Sequence, residues 1–149
     1  MTTESRADHA LPITIVSGGQ TGADRAALDW AIERAIEHGG WCPRGRRAED
    51  GVIAARYRLR ETPSDRYEQR TQWNVRDSDG TVILTLAPTL TGGSRTTAEW
   101  AESLGRPCLH VSREADGVRV LNVAGPRASG EPDVGAFVRW TLDRALGTR

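Results

Sequence analysis

The sequence predicts an α/β fold, a single Rossmann-like domain of three layers around a mostly parallel sheet of about five strands. Apolar, β-branched segments alternate along the chain with segments of helical periodicity, which is the pattern of successive βαβ units. The segment TVILTL, residues 81–86, is typical of a central strand in a parallel sheet because it is apolar on both faces. Right-handed crossovers would then cover both faces of the sheet with helices.

The first half of the chain supplies two strands and one long helix. Residues 11–16 are apolar and β-branched, which predicts a strand, and a glycine loop leads from it into a helix over residues 23–38. Gly39 and Gly40 end this helix. A short extended piece at residues 41–42 precedes an irregular segment, residues 43–63, and a loop of this length in a compact domain is more often functional than idle.

The second half supplies three helices and three strands. Ser64 and Asp65 can cap a helix that runs to about residue 77, and the turn before the central strand contains Gly80. Residues 94–104 predict the next helix, which Gly105 ends. Residues 107–111 and 118–123 predict two further strands, and residues 134–146 predict a last helix with an apolar face.

The composition limits the classes of function. Residues 1–10 are polar and predict a flexible tail, so we expect the domain to span residues 11–149. Basic and acidic residues are balanced at 20 each, so no basic excess indicates nucleic acid, and no apolar run reaches membrane length. Cys42 and Cys108 lack the spacing of a metal site, so we expect no protein-bound metal. We expect a cytoplasmic protein that binds no membrane, with a homo-oligomer, a dimer or larger, compatible with the fold.

The first glycine loop, residues 17–22, has the composition of an anion site. Glycines leave backbone N–H groups accessible, and the next helix points its unpaired N–H groups and positive dipole end at the same place. A tight strand-to-helix turn without a ligand is the alternative. Gln20 and Asp24 would orient hydroxyl groups of a sugar or base. The candidate ligand-binding residues are Ser17, Gly18, Gly19, Gln20, Thr21, Gly22, Asp24 and Arg25.

The second glycine loop, residues 90–93, repeats this logic after the central strand. Its hydroxyl groups can donate to phosphate oxygens, and a helix begins at the same point. Glu99 lies about one turn into that helix, where it is either an ordinary first-turn carboxylate or a positioned acid–base group. The candidate ligand-binding residues here are Gly92, Gly93, Ser94, Arg95, Thr96 and Thr97.

Other arginines fall where loops follow strands, at the edge where α/β sheets bind ligands. Arg44 and Arg46 follow the piece at residues 41–42, and Arg127 follows the last predicted strand. Arg66 and Arg70 lie in the first half of the second helix, where they are either anion partners or members of surface salt bridges. The sequence contains no lysine, so any anion bound here meets a guanidinium group.

Several segments together resemble the putative molybdenum carrier family, the circularly permuted YpsA branch of the SLOG superfamily. They are SGGQTGADRAALD (residues 17–29), GGWCPRGR (39–46), AEDG (48–51), QRTQWNVRDSDG (69–80), LTGG (90–93) and LNVAGPR (121–127). The resemblance covers nearly the whole chain from residue 13 onward. It implies a Rossmann-like domain that binds a nucleotide or another phosphorylated small molecule, with the phosphorylated pterin of molybdenum cofactor among the candidates.

The resemblance extends to two relatives within the superfamily. LOG-type phosphoribohydrolases carry P-G-G-x-G-T-x-x-E, which residues 91–99 match except for Thr91 in place of proline and Arg95 in place of the third glycine. A bulky arginine in place of that glycine is expected to crowd the second glycine loop or to add charge to it. We therefore expect the first glycine loop to hold the phosphate. The DNA-uptake protein DprA shares the S-G-G motif, but the balanced charge of this chain makes nucleic acid an unfavoured partner.

Three functions remain open on the sequence. The leading hypothesis is a binding protein for a phosphorylated small molecule. The second is a phosphoribohydrolase that cleaves the N-glycosidic bond of a nucleoside monophosphate, in which Glu99 stabilises positive charge on the ribose or directs water. The third is an interaction or signalling module that responds to a nucleotide. For the leading hypothesis, a bulky residue at Gly19 or Gly93 is expected to abolish binding and leave the fold intact.

Overall fold

A five-stranded parallel sheet forms the centre of the protein in the computed structural model, which describes residues 13–86, 89–110 and 120–146. These ranges leave out the predicted tail and the first two residues of the first predicted strand. They also leave out residue 111 of the strand predicted at 107–111 and residues 118 and 119 of the strand predicted at 118–123. The elements are β1 (Thr14–Val16), α1 (Ala23–Glu33), β2 (Glu37–Gly39), β3 (Trp41–Cys42), β4 (Arg47–Ala48), β5 (Gly51–Val52), β6 (Arg60–Glu61), α2 (Tyr67–Arg76), β7 (Gly80–Ile83), α3 (Gly92–Ser103), β8 (Cys108–His110), β9 (Val120–Ala124) and α4 (Val134–Leu146).

The strand order β2-β1-β9-β7-β8 creates a switch point at the centre of the sheet. From β1 the chain crosses outward to β2, and from β7 it crosses outward in the opposite direction to β8. Strand β9 lies between β1 and β7, and every pairing in this sheet is parallel. The loops that follow β1, β9 and β7 therefore meet at one edge, where open α/β sheets bind ligands.

Helices cover both faces of the sheet. Helix α1 packs on α4, and α2 packs on α3. Because the two crossovers run in opposite directions, right-handed connections place α1 and α3 on opposite faces. The main core joins the sheet to α1 and α4, with Ile15, Trp30, Leu121 and Val138 fully or almost fully buried. This is the three-layer, Rossmann-like arrangement that the sequence predicts.

The first helix is shorter than predicted, and the sheet gains a strand from the difference. Helix α1 ends at Glu33 and not at residue 38, because Ala35 adopts a φ of 53° and the Ile36 N–H turns back to the Ala31 carbonyl (2.9 Å). Residues 37–39 then pair with β1. The apolar residues Ala35 and Ile36 continue the helical period past the true end, which explains the error.

The short extended piece predicted at residues 41–42 forms β3, which belongs to a separate ladder. Strand β3 pairs with β6, and β4 pairs with β5, so the segment predicted as irregular contains one two-stranded ladder and one strand of a second. A second apolar cluster, which includes Leu28, Cys42, Ile53 and Tyr57, packs this segment against α1.

Two helix starts also differ from the prediction. Helix α2 begins at Tyr67, with Arg66 and not Ser64 or Asp65 as its N-cap residue. Helix α3 begins at Gly92, so both glycines of the second glycine loop belong to its first turn. In the ranges that the structure describes, no helix has the length and apolar character needed to span a membrane.

Candidate ligand-binding cavity

A cavity of about 520 Å³ opens where the loops after the central strands meet. This volume lies within the range of small-molecule sites. Its walls come from the first glycine loop, α2, the start of α3, β9 and the loop after β9. The predicted ligand-binding residues that line it are Gly18, Gln20, Asp24, Gly92, Gly93, Ser94, Thr96, Thr97 and Arg127.

Contacts within the chain close much of the first glycine loop. Ser17 Oγ donates to a β9 carbonyl (2.5 Å) and lies outside the cavity lining. A Cβ on Gly18 would lie 2.5 Å from Arg70 Cδ. Gly22 has a φ of +84°, and a Cβ on it would lie 2.5 Å from the Pro126 carbonyl oxygen. These glycines therefore make room for neighbouring parts of the chain.

Gly19 is also required by the fold, contrary to the expectation from sequence. It has a φ of +78°, and a Cβ there would lie 2.7 Å from Leu59 and 2.8 Å from Ile53. A bulky residue at Gly19 would displace these side chains from the second apolar cluster. Gly19 and Gly22 do not line the cavity.

Asp24 places a carboxylate of the chain itself at the start of α1. Its Oδ2 accepts a hydrogen bond from the Gln20 N–H (3.0 Å) and lies 3.6 Å from Nη1 of Arg70, which also donates to the Gly18 carbonyl (3.1 Å). Both side chains are close to 10% exposed. Burial raises the pKa of Asp24 above its usual range, and the Arg70 guanidinium acts against this rise.

Gln20 presents an unused donor. Its Oε1 accepts hydrogen bonds from the N–H groups of Thr21 (3.1 Å) and Glu49 (2.8 Å), which fixes the orientation of the amide. Its Nε2 is buried and has no hydrogen-bond partner among the residues described. Leaving a buried donor unpaired costs about 1–3 kcal/mol, so a ligand acceptor at this position would be stabilised.

Thr21 and Arg25 connect the first glycine loop to its surroundings and lie outside the cavity lining. Thr21 Oγ1 donates to Glu49 Oε1 (2.6 Å), and Ser129 Oγ donates to Glu49 Oε2 (2.8 Å). These hydrogen bonds lower the pKa of Glu49. Arg25 forms a two-pronged ion pair with Asp50 (2.6 and 2.8 Å). Both contacts anchor the loop to the segment after β4.

The other early arginines are also outside the lining. Arg46 donates to four backbone carbonyls, those of residues 53, 54, 57 and 59, and so holds the irregular segment together. Arg44 and Arg66 are exposed. The structure therefore brings Arg70 and Arg127 to the cavity and leaves these three arginines elsewhere.

The start of α3 is open to the cavity. The N–H groups of its first turn, at Gly92, Gly93 and Ser94, have no intrahelical partner, and no side chain that the structure describes caps them. A Cβ on Gly92 or Gly93 would have no described atom within 4 Å. Thr96 and Thr97 line the cavity, but their hydroxyls donate to the Gly92 and Gly93 carbonyls (3.2 and 2.8 Å).

Arg95 does not crowd this helix start. Its side chain is 71% exposed and pairs with Glu99, itself 63% exposed, through a Nε to Oε1 contact of 3.1 Å. Neither residue lines the cavity. Arg95 therefore does not crowd the second glycine loop, contrary to the expectation from sequence. Glu99 lies outside the cavity in which it would have to act as a catalytic group.

Sequence reasoning did not select several further lining residues, among them Tyr67, Asn122 and Ser129. Tyr67 is the first residue of α2, Asn122 is a buried amide in the middle of β9, and Ser129 follows Arg127 in the loop after β9. The signal for Asn122 is a lone amide within an otherwise apolar strand. Tyr67 could have been found from the position of the α2 start beside the ligand edge.

Comparisons with known proteins agree with this architecture. The model of the circularly permutated YpsA SLOG family matches residues 15–146. The crystal structure of a putative molybdenum carrier protein from Syntrophus aciditrophicus has 42% sequence identity and a TM-score of 0.85, covering 91% of this chain and 96% of that chain. A second solved structure, (E)-4-hydroxy-3-methyl-but-2-enyl diphosphate reductase, has 10% identity and a TM-score of 0.38 over 88% of this chain and 59% of that chain. No curated protein matches the sequence. The chain therefore belongs to the circularly permutated YpsA SLOG family.

Proposed function

We propose that the protein binds a phosphorylated small molecule, such as a nucleotide, with its phosphate at the start of α3. The open first turn of α3 carries this proposal. No described side chain caps the N–H groups of that turn, they adjoin a cavity of about 520 Å³, and neither glycine has a described atom within 4 Å of where a Cβ would lie. A helix N-terminus of this kind stabilises an anion through its N–H groups and its dipole.

The start of α1 suits an external phosphate less well. The Asp24 carboxylate already accepts the Gln20 N–H and faces Arg70. A phosphate placed there would have to compete with the Asp24 side chain for the Gln20 N–H and for Arg70. The first glycine loop would instead contribute to the remainder of the ligand through the unpaired Nε2 of Gln20.

The binding function is favoured over the hydrolase alternative. Hydrolysis by Glu99 lacks geometric support because that carboxylate is exposed, paired with Arg95 and outside the lining. The relative from Syntrophus aciditrophicus is a putative molybdenum carrier protein, and a carrier would also need a small-molecule cavity.

The proposal can be tested with AMP as the probe and a pair of variants at the N-cap of α3. Thr91 is exposed, lines the cavity and makes no capping hydrogen bond. Asp and Asn are both good N-cap residues and have nearly the same shape, so Thr91→Asp and Thr91→Asn should fold equally well. They differ only in placing a negative charge where the phosphate would bind.

Thermal unfolding with and without AMP measures the outcome. At about 100 times its dissociation constant, AMP should stabilise the unsubstituted protein by about 2.7 kcal/mol. The Thr91→Asn variant should keep a substantial part of this effect, and the Thr91→Asp variant should lose it. Equal responses of the two variants to AMP would contradict a phosphate at the start of α3.

A further inference from the structure

The side of the cavity next to α2 contains an aromatic ring surrounded by guanidinium groups. The Tyr67 ring centroid lies 4.8 Å from Cζ of Arg127, 5.2 Å from Cζ of Arg70 and 5.6 Å from Cζ of Arg47. Tyr67, Arg70 and Arg127 all line the cavity. Tyr67 comes from the start of α2 and Arg127 from the loop after β9, so the contact between them joins two different walls.

The two arginines that line the cavity beside Tyr67 are held differently. Arg70 is buried, donates to the Gly18 carbonyl and faces the Asp24 carboxylate, so its position is fixed. Arg127 is exposed, and among the residues described its guanidinium has no carboxylate within 4.0 Å. Its backbone is nevertheless fixed, because its carbonyl accepts the N–H groups of Gly130 and Glu131 (both 3.0 Å).

A ligand ring can easily replace the contact between Arg127 and the Tyr67 ring. An exposed arginine on an aromatic ring is held only weakly, whereas a planar heterocycle offers a whole face to both partners. Tyrosine rings and arginine guanidinium planes are the groups on which proteins stack bases. A planar ring that enters between Tyr67 and Arg127 would replace one weak contact with two stacking surfaces.

We propose that Tyr67 and Arg127 form a subsite for a planar heterocycle, so that the ligand of this cavity is a phosphate ester that carries such a ring. The inference rests on the proposed function, which supplies the phosphate position at α3, and it adds the chemical class of the rest of the ligand. Nucleoside monophosphates and phosphorylated pterins belong to this class, and simple sugar phosphates do not.

The test compares two probes that share a phosphate and differ in the ring. Isothermal titration calorimetry should show AMP binding at least about 10-fold more tightly than ribose 5-phosphate, because stacking a base on an aromatic side chain contributes a factor of this size or more. Tyr67→Leu should remove most of that difference by weakening AMP and leaving ribose 5-phosphate unchanged. Tyr67→Phe, which keeps the ring, should restore AMP binding, and Arg127→Gln should weaken AMP several-fold.

The chain offers a matched control in its other tyrosine. Arg56 lies over the ring of Tyr57 with Cζ 4.7 Å from the centroid, and neither residue lines the cavity. Arg56→Gln therefore removes the same kind of contact at a distance and should leave AMP affinity unchanged. Because Arg127 is exposed, its variant should fold even if Tyr67→Leu does not.

The outcomes separate the two proposals. If ribose 5-phosphate binds as tightly as AMP, or if Tyr67→Leu weakens both probes equally while Arg127→Gln weakens neither, the heterocycle subsite is overturned and the phosphate site stands. If neither probe binds, the proposed function fails and the subsite fails with it.

Discussion

The two glycine loops follow the same sequence logic and differ in what surrounds them. In the first glycine loop a side chain on Gly18 or Gly22 would collide with Arg70 or with the backbone at Pro126. In the second, a Cβ on Gly93 would meet no described atom within 4 Å, and its backbone conformation does not require glycine. In the first loop the Asp24 side chain already accepts the Gln20 N–H, and no described side chain makes such a contact with the first turn of α3.

This difference separates two reasons for a glycine. A glycine that admits a neighbouring segment contributes to stability, and a glycine beside empty space in a cavity allows an external group to approach. The second glycine loop is therefore the better candidate for the phosphate, even though the first has more of the features of an anion site in the sequence.

We expect the largest effect on the free energy of unfolding when alanine replaces Gly22, and a much smaller effect when alanine replaces Gly93. Gly22→Ala would place a Cβ 2.5 Å from the Pro126 carbonyl on a residue with a φ of +84°. We expect the free energy of unfolding to fall by about 3 kcal/mol, from left-handed strain and overpacking together. Gly93→Ala should change it by less than about 1 kcal/mol, in the stabilising direction.

Denaturant unfolding of both variants measures this contrast. Gly135→Ala is a matched control, because Gly135 also lies in the first turn of a helix and its Cβ would make only ordinary contacts, the nearest at 3.8 Å. Comparable losses in the Gly22 and Gly93 variants would contradict the distinction between the loops.

An intermediate effect is expected from the titration of Asp24. Because burial raises the pKa of Asp24 in the folded protein, the folded state retains this proton to a higher pH than the unfolded state does. The stability that this group contributes is present below the unfolded pKa, about 3.9, and is lost as the pH rises through the folded pKa. In that window the unsubstituted protein should lose up to about 1.4 kcal/mol per pH unit relative to Asp24→Asn.

The measurement is the difference in unfolding free energy between the two proteins over a series of pH values. Asn at this position does not titrate and keeps an oxygen for the Gln20 N–H, so the slope reports the ionisation of Asp24. A slope of the opposite sign would mean that attraction to Arg70 outweighs burial.

The smallest effect is expected at the Arg95 and Glu99 pair. Since both side chains are exposed and outside the cavity lining, Arg95→Ala and Glu99→Gln should each change the free energy of unfolding by less than about 0.5 kcal/mol. AMP affinity should stay the same within error. A loss of AMP binding in Arg95→Ala would return this arginine to the phosphate site, and a loss of base release from AMP in Glu99→Gln would support the hydrolase alternative.

Much of the fold follows from local pattern. The alternation of strand and helix periods predicted the parallel sheet and its covering helices, because burial at regular spacing is a property of short segments. The strand at residues 37–39 could not be predicted in this way, since it depends on a left-handed alanine, Ala35, that interrupts an otherwise continuous helical pattern.

The candidate site was likewise predictable where it depends on sheet topology and not predictable where it depends on tertiary contacts. Parallel topology alone predicted that the two glycine loops and the loop after β9 share one edge, because the carboxyl ends of parallel strands do. The partners that each arginine binds could not be predicted, since they depend on which segments the fold brings together. Arg25 pairs with Asp50 and Arg46 binds nearby carbonyls, whereas Arg70 reaches Gly18, 52 positions away.

The position of β9 has a consequence for how the molecule assembles. This strand is the last of the nine that the structure describes, yet it pairs with both β1 and β7 at the centre of the sheet. Until it has been synthesised, β1 with β2 and β7 with β8 can form only two separate pairs with no sheet between them. The cavity, whose lining includes Asn122 and Ala124 of β9, can thus form only after β9 has been synthesised, and until then β1 and β7 each expose an unpaired strand edge.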